Sequence, residues 1–279
     1  IESFFMVGIL CGYFIFSAFV DDANPQSTAW LGVYYLLAGI TFVALLLLWS
    51  TPLDESAVKA EAGKPLTEDF AEMFKLLAQM LVLVFIISAF FYVLIEQSIM
   101  SWLPTFNKSV LKLPVSLSIQ MASILAASTA IGRFLAGALL RKMDWYVVLT
   151  SCLVAAAALV LVAIPLAKGV DGSSVTGWGD APLAAFVFPL IGLFLAPIYP
   201  AINSAVLSAL PARMHGPMSG LIVIFSALGG TTGSLLTGAI FEKFGGQTAF
   251  YFSLVPIAIL TLSLFMFNRL QKRALAKAA

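Results

Sequence analysis

Glu96 is the residue in this chain whose position demands a chemical account. It closes the segment Phe90-Phe91-Tyr92-Val93-Leu94-Ile95-Glu96 inside an apolar block spanning 76–104, and no other of the 14 acidic residues falls well inside such a block. In the middle of a membrane-crossing helix an ionised side chain costs roughly 2.5–3.5 kcal/mol on insertion scales, so a carboxylate there faces a cavity, meets a partner or keeps its proton. Two uses follow: bonding to a polar solute, or taking up and releasing a proton. The bland reading is a carboxylate that reaches the headgroups, since the block ends about eight residues further on, roughly 12 Å at 1.5 Å per residue. Tyr92, one turn earlier on the same face, can add a hydroxyl or a ring. Gln97 and Ser101 lie on an adjacent strip, where bonding between helices is an equal use.

A second centre is Ala196-Pro197-Ile198-Tyr199-Pro200, midway along an apolar block at 182–210. Pro197 and Pro200 remove two backbone donors and so expose carbonyls at mid-depth. Broken helices at that depth are tolerated beside protein or a water-filled cavity, and transporters build binding sites from them. Asn203, one turn past Pro200, offers a donor and an acceptor; a packing kink with Asn203 bonded to a neighbouring helix is the alternative. Arg133 lies two turns from the end marked by Arg141, where it either snorkels or holds a gate. Arg141, Lys142 and Asp144 crowd a very short turn, suited to a gate or to setting topology. His215, beside Arg213, reads as a solvated loop residue. Gly229-Gly230-Thr231-Thr232-Gly233, with Gly238 beyond, reads as a stripe for close helix approach; no Lys follows and no strand precedes, so it is not a phosphate loop.

These residues need helices to hold them in lipid. The chain is 61% apolar and 10% charged, with a mean hydropathy of +1.02; a soluble domain carries roughly 25% charged residues. Eight apolar blocks approach the ~20 residues needed to cross a bilayer: 3–20, 29–49, 76–104, 116–140, 146–166, 182–210, 218–240 and 247–267. The fold class expected is therefore an all-α polytopic membrane bundle. With the 50–75 connector and the C-terminal tail on one side, that side holds ten Lys and Arg against four on the other, which makes it cytoplasmic. Trp30, Trp49, Trp102, Trp145 and Trp178 all fall at or beside predicted span ends, as an interfacial belt requires. Leu66–Lys75 starts with an N-cap residue and acids and sets Phe70 and Phe74 on one face, predicting a short helix on the cytoplasmic surface. Net charge is +1, giving no reason to expect nucleic acid. Cys11 and Cys152 lie in apolar blocks and support neither a disulfide framework nor a metal site. No catalytic constellation or metal-ligand spacing is present, so neither an enzyme nor a cofactor is expected. The start at Ile1, without Met or a basic leader, reads as a truncated front.

Two spans, a charged linker and six spans resemble a major facilitator superfamily transporter lacking its first four helices. On that resemblance 1–50 holds the last two helices of the N-terminal half, 51–75 the cytoplasmic linker, 76–267 the complete C-terminal half and 268–279 the tail. Phe90 to Glu96 resembles the seventh-helix motif of the fucose–galactose–glucose:proton symporters, with Leu94 and Ile95 where that family has Gly and Ala. Gly132-Arg133-Phe134 leading to Arg141-Lys142 resembles the family's turn between its eighth and ninth helices. Tyr199-Pro200-Ala201-Ile202-Asn203-Ser204 resembles its tenth-helix Tyr-Pro-Thr-Ile-Phe-Ser. The family implies monosaccharide uptake coupled to protons by alternating access, in a monomer of the bacterial inner membrane. Under that expectation the residues read above take their roles: Glu96, Tyr92, Gln97, Tyr199 and Asn203 at the substrate, Asn203 standing where the family has Phe, Glu96 in proton coupling, and Arg133, Arg141, Lys142, Asp144, Pro197 and Pro200 in gating. The alternatives are an exporter of drugs or metabolites on the same fold, with a greasier site, and a membrane sensor that binds without flux.

Overall fold

The computed structural model describes residues 2–24, 26–52, 66–211 and 214–278. They form twelve α-helices: α1 Glu2–Ala18, α2 Gly32–Ser50, α3 Leu66–Lys75, α4 Met80–Ser109, α5 Val115–Leu139, α6 Trp145–Ala163, α7 Leu183–Val187, α8 Ile191–Leu195, α9 Ile198–Ala209, α10 His215–Phe244, α11 Gly246–Tyr251 and α12 Leu254–Ala278. Among these residues seven helical spans are long and apolar enough to cross a membrane, and the helix through Phe5–Ala18 is apolar but shorter. Large apolar side chains face outward along them: Phe134 is 80% exposed and Leu235 69%. Water would penalise that surface, whereas lipid accepts it.

α4 is the axis of the bundle, packed against α5, α9, α10 and α12, while α1 lies along α5. The α4–α10 seam is close because α10 presents glycine. A Cβ at Gly229 would strike the Phe90 carbonyl, one at Gly233 the Leu94 carbonyl, and one at Gly238 the Trp102 ring. The stripe at 229–238 is thus a packing surface, as its sequence indicates. Trp102 donates from Nε1 to the Ser234 carbonyl at 2.9 Å, so its indole is fastened into this seam rather than serving only as an interfacial anchor.

Two boundaries differ from the sequence reading for a physical reason. α4 does not stop at 104 but continues through Pro104 to Ser109. The missing Pro104 N–H leaves the Met100 carbonyl without its helical donor, and the Tyr13 hydroxyl of α1 reaches that oxygen at 3.5 Å. The last helix likewise runs past 267 to Ala278, so the tail begins as a helical extension. A helix is present at Leu66–Lys75, as the sequence predicts, and is α3. The remainder of the linker, 53–65, and the Arg213 position lie outside the described residues.

One end of the bundle carries Ser50, α3 and the turn at 140–144, and is called here the linker end; the other is the far end. At the far end α5 follows Pro114, whose side chain has no oxygen with which to cap a helix. The cap comes from elsewhere: Asp22, in the α1–α2 connection, accepts from the Ser116 backbone N–H at 3.1 Å and from the Ser116 hydroxyl. An acid at a helix N-terminus satisfies orphan donors and meets the positive end of the helix dipole.

Candidate functional site

Extension of α4 to Ser109 changes the depth of Glu96. It stands about 13 residues from the far end of its helix, roughly 20 Å, and not the 12 Å inferred from the shorter block. Headgroups at that end are out of its reach, so the carboxylate must be satisfied inside the bundle. Tyr92 and Arg133 both contribute to this. The Tyr92 hydroxyl donates to Glu96 Oε1 at 2.9 Å, the i, i+4 pairing that helix geometry offers. Arg133 of α5 places a guanidinium nitrogen 3.6 Å from the same oxygen. Both charged side chains are largely enclosed, Arg133 11% and Glu96 17% exposed, and in such surroundings an acid and a base hold each other far more strongly than in water. Arg133 therefore does not snorkel. It turns inward across the α4–α5 contact to a carboxylate 37 residues earlier in the chain.

A second tyrosine, packed on Tyr92 rather than on the carboxylate, comes from the broken helix. The Leu183–Ser208 span is not continuous: α7 passes through a 3-10 turn at Phe188–Leu190 into α8, and a turn at Ala196–Pro197 separates α8 from α9. The break at Pro197 occurs where two prolines withdraw N–H groups. The Leu193 carbonyl, four residues before Pro197, lies against Gly132, where any Cβ would collide with it. Past the break, α9 turns Tyr199 onto Tyr92, ring centroids 5.4 Å apart and planes 21° from parallel. The Tyr199 hydroxyl is 3.1 Å from Ser226 Oγ of α10. An unbroken polar and aromatic path therefore joins Ser226, Tyr199, Tyr92, Glu96 and Arg133 across four helices.

Asn203 lies one turn beyond Tyr199 on the same face of α9, and its Oδ1 is buried with no hydrogen-bond partner among the described residues. A buried orphan acceptor costs about 1–3 kcal/mol until a donor arrives, so this face of α9 is suited to a ligand hydroxyl. Gln97 stands apart from the cluster. Its Cγ is 3.1 Å from where a Cβ on Gly230 would sit, which places its stem in the α4–α10 seam. Asp144 directs its carboxylate to the start of α6, accepting from the Tyr146 and Val147 N–H groups at 2.9 and 3.4 Å; Arg141 and Lys142 beside it are exposed. The sequence placed these three in one turn, and the structure gives Asp144 the work of a helix cap. His215 Nε2 lies 3.1 Å from the Leu210 carbonyl at the head of α10. No grouping of His, Cys, Asp and Glu among the described residues could hold a metal ion.

Ser226 carries no signal in the sequence, being one of three serines in an apolar helix. The pairing of Arg133 with Glu96 was equally hidden, because it depends on how α4 and α5 are rotated against each other. Comparison with known proteins adds one finding: residues 1–233 match the family model described as Major Facilitator Superfamily. No curated protein matches the chain.

Proposed function

This chain belongs to the major facilitator superfamily, whose members are membrane transporters, and on that premise we propose that it carries a monosaccharide together with a proton by alternating access. The observation that carries the proposal is the composition of the cluster at Glu96. A carboxylate, two stacked tyrosines and an amide with an orphan oxygen make up the chemistry that recognises a polyhydroxylated ring: hydroxyl donors and acceptors beside an aromatic face. A drug exporter calls for a greasier pocket. Glu96 serves twice. Ionised, it holds Arg133 and the Tyr92 hydroxyl; once protonated, it loses most of its attraction for Arg133, and the sugar can take its place in the hydrogen bonding.

In this reading α1 and α2 belong to the first half of the transporter, 51–75 is the linker, and α4 through the 267 position form the second half. The linker end faces the cytoplasm of a bacterial inner membrane, and the protein works as a monomer. Arg133, Pro197 and Pro200 act as the gate that responds to Glu96, with Arg141, Lys142 and Asp144 at its cytoplasmic margin.

The test is uptake of labelled fucose, galactose and glucose by the full-length protein in liposomes, with and without an inward proton gradient, alongside Glu96→Gln. The expected result is gradient-stimulated uptake of one sugar that Glu96→Gln abolishes. Uptake indifferent to both the gradient and the substitution would keep the sugar and remove Glu96 from the coupling. No sugar uptake by folded protein would sink the assignment and bring the exporter forward.

A further inference from the structure

α9 has two faces with different surroundings. At 100° per residue Tyr199 and Asn203 share one face, while Ala201, Ser204, Ala205 and Ser208 turn to the opposite one. Behind that second face lies a cavity of about 440 Å³, walled by Arg133 of α5 and Leu140 just past its end, by Trp145 at the start of α6 and by Gln271 of α12. Its two ends differ. Towards the far end, α5 and α8 meet backbone to backbone: Gly132 abuts the Leu193 carbonyl, Gly192 abuts the hydroxyls of Ser128 and Thr129, and Ser128 Oγ donates to the Pro189 carbonyl at 2.8 Å. Beyond the break at Ala196–Pro197, α9 parts from α5, and Ser204 and Ser208 are exposed in the gap. The space therefore opens at the linker end and stops at Arg133.

We infer that this cavity is a one-sided aqueous inlet through which Glu96 exchanges its proton with the linker side of the membrane, apart from the face of α9 that meets substrate. The inference rests on the proposed role of Glu96 as the proton-linked carboxyl. Arg133 forms the inner wall of the inlet, and the same guanidinium stands 3.6 Å from Glu96 Oε1, so water that hydrates it from the cavity is brought to the carboxyl group. In the exchange the Glu96 O–H bond breaks, water takes the proton as hydronium, and the carboxylate left behind faces Arg133. The other titratable groups at this position are Tyr92 on α4 and Tyr199 on α9. α10 contributes the uncharged Ser226, and the charged residues of α10 and α12 lie near the ends of those helices. Ser204, Ser208 and Gln271 supply the two to four hydrogen-bond partners that a held water needs.

The sequence contains Cys11 and Cys152, so the test starts from full-length protein in which these and any other native cysteine are replaced by serine. Ser204→Cys and Ser208→Cys are then exposed, in oriented vesicles, to a positively charged, membrane-impermeant methanethiosulfonate reagent. Both are expected to react from the linker side and not from the other. The attached group fills the inlet after folding is complete, and sugar-triggered proton uptake, followed with a pH-sensitive dye, should slow roughly tenfold, a barrier change of about 1.4 kcal/mol. Equilibrium sugar binding should remain. Failure to react from the linker side, equal reaction from both sides, or an unchanged rate of proton uptake in fully modified protein would each overturn the inlet. Unmodified protein that shows no sugar-triggered proton movement would overturn the coupling role of Glu96, and the proton exchange with it; one-sided labelling in that same preparation shows that the fault lies in the coupling and not in the cavity.

Discussion

The pair formed by Glu96 and Arg133 has an energetic signature that separates it from two polar residues that are merely close together. Removing one member of an enclosed ion pair strands the other charge, whereas replacing both by neutral groups of similar shape removes the penalty as well. Arg133→Gln should therefore destabilise the protein by up to about 3 kcal/mol, while Glu96→Gln with Arg133→Gln should recover most of that loss. Thermal unfolding of the two variants in detergent decides it: equal destabilisation by the single and double substitutions would mean that the charges do not depend on each other. Tyr92→Phe asks a narrower question, since it keeps the stack on Tyr199 and deletes only the hydroxyl that donates to Glu96 Oε1. A loss of about 1 kcal/mol in sugar affinity is expected, the ordinary worth of one hydrogen bond; calorimetric titration showing unchanged affinity would remove that hydroxyl from the site. At this scale the sequence was informative where partners were four residues apart, as with Tyr92 and Glu96, and silent where they were brought together by helix rotation, as with Arg133 or Ser226.

Among the elements, the helices were legible because lipid imposes a simple demand, a long apolar run, and their boundaries were less so because helix ends here are set by distant residues. The apolar block ends at Pro104, yet α4 passes through that proline with the Tyr13 hydroxyl at the freed Met100 carbonyl. Pro114 leaves the head of α5 uncapped by its own neighbours, and Asp22 supplies the cap from nearly a hundred residues away. That remote cap ties the α1–α2 connection to α5 at the far end. Asp22→Ala should cost about 1 kcal/mol, the usual worth of an N-cap, and should open the far end: a cysteine placed at Ser116 is expected to become reactive to an impermeant reagent added on that side. Unaltered reactivity would show that the far end is sealed without Asp22. The α4–α10 seam gives the opposite kind of prediction, because the clash involves backbone and cannot be relieved by turning a side chain. Gly233→Ala should destabilise by about 1–3 kcal/mol, the range for overpacking, seen as a lowered unfolding temperature; a neutral result would mean that α10 is free to move away from α4.

For the molecule as a whole, the direction in which it crosses the membrane decides what the cavity behind α9 can do. Lys and Arg cross a bilayer unwillingly and are retained on the cytoplasmic side during insertion, so ten of these residues on one side against four on the other set a direction. The 50–75 connector is short enough to count under this rule, as are the tight turn holding Arg141 and Lys142 and the C-terminal helix with Arg269, Lys272 and Arg273. The structure puts the 140–144 turn, α3 and the end of α12 at the same end as the mouth of the cavity lined by Ser204 and Ser208. If that end faces the cytoplasm, the inlet delivers protons inward and suits uptake driven by an inward gradient. If it faces outward, the same inlet would load protons from outside, and the direction of coupling would have to be reconsidered. A reporter active only in the cytoplasm, fused after Ala279, should therefore be active, and one active only outside should be silent. Replacing Arg141, Lys142, Arg269 and Lys272 with Gln should shift part of the population to the inverted topology. An active outside reporter on the unaltered protein would reverse the inlet and remove the physical basis for proton-driven uptake.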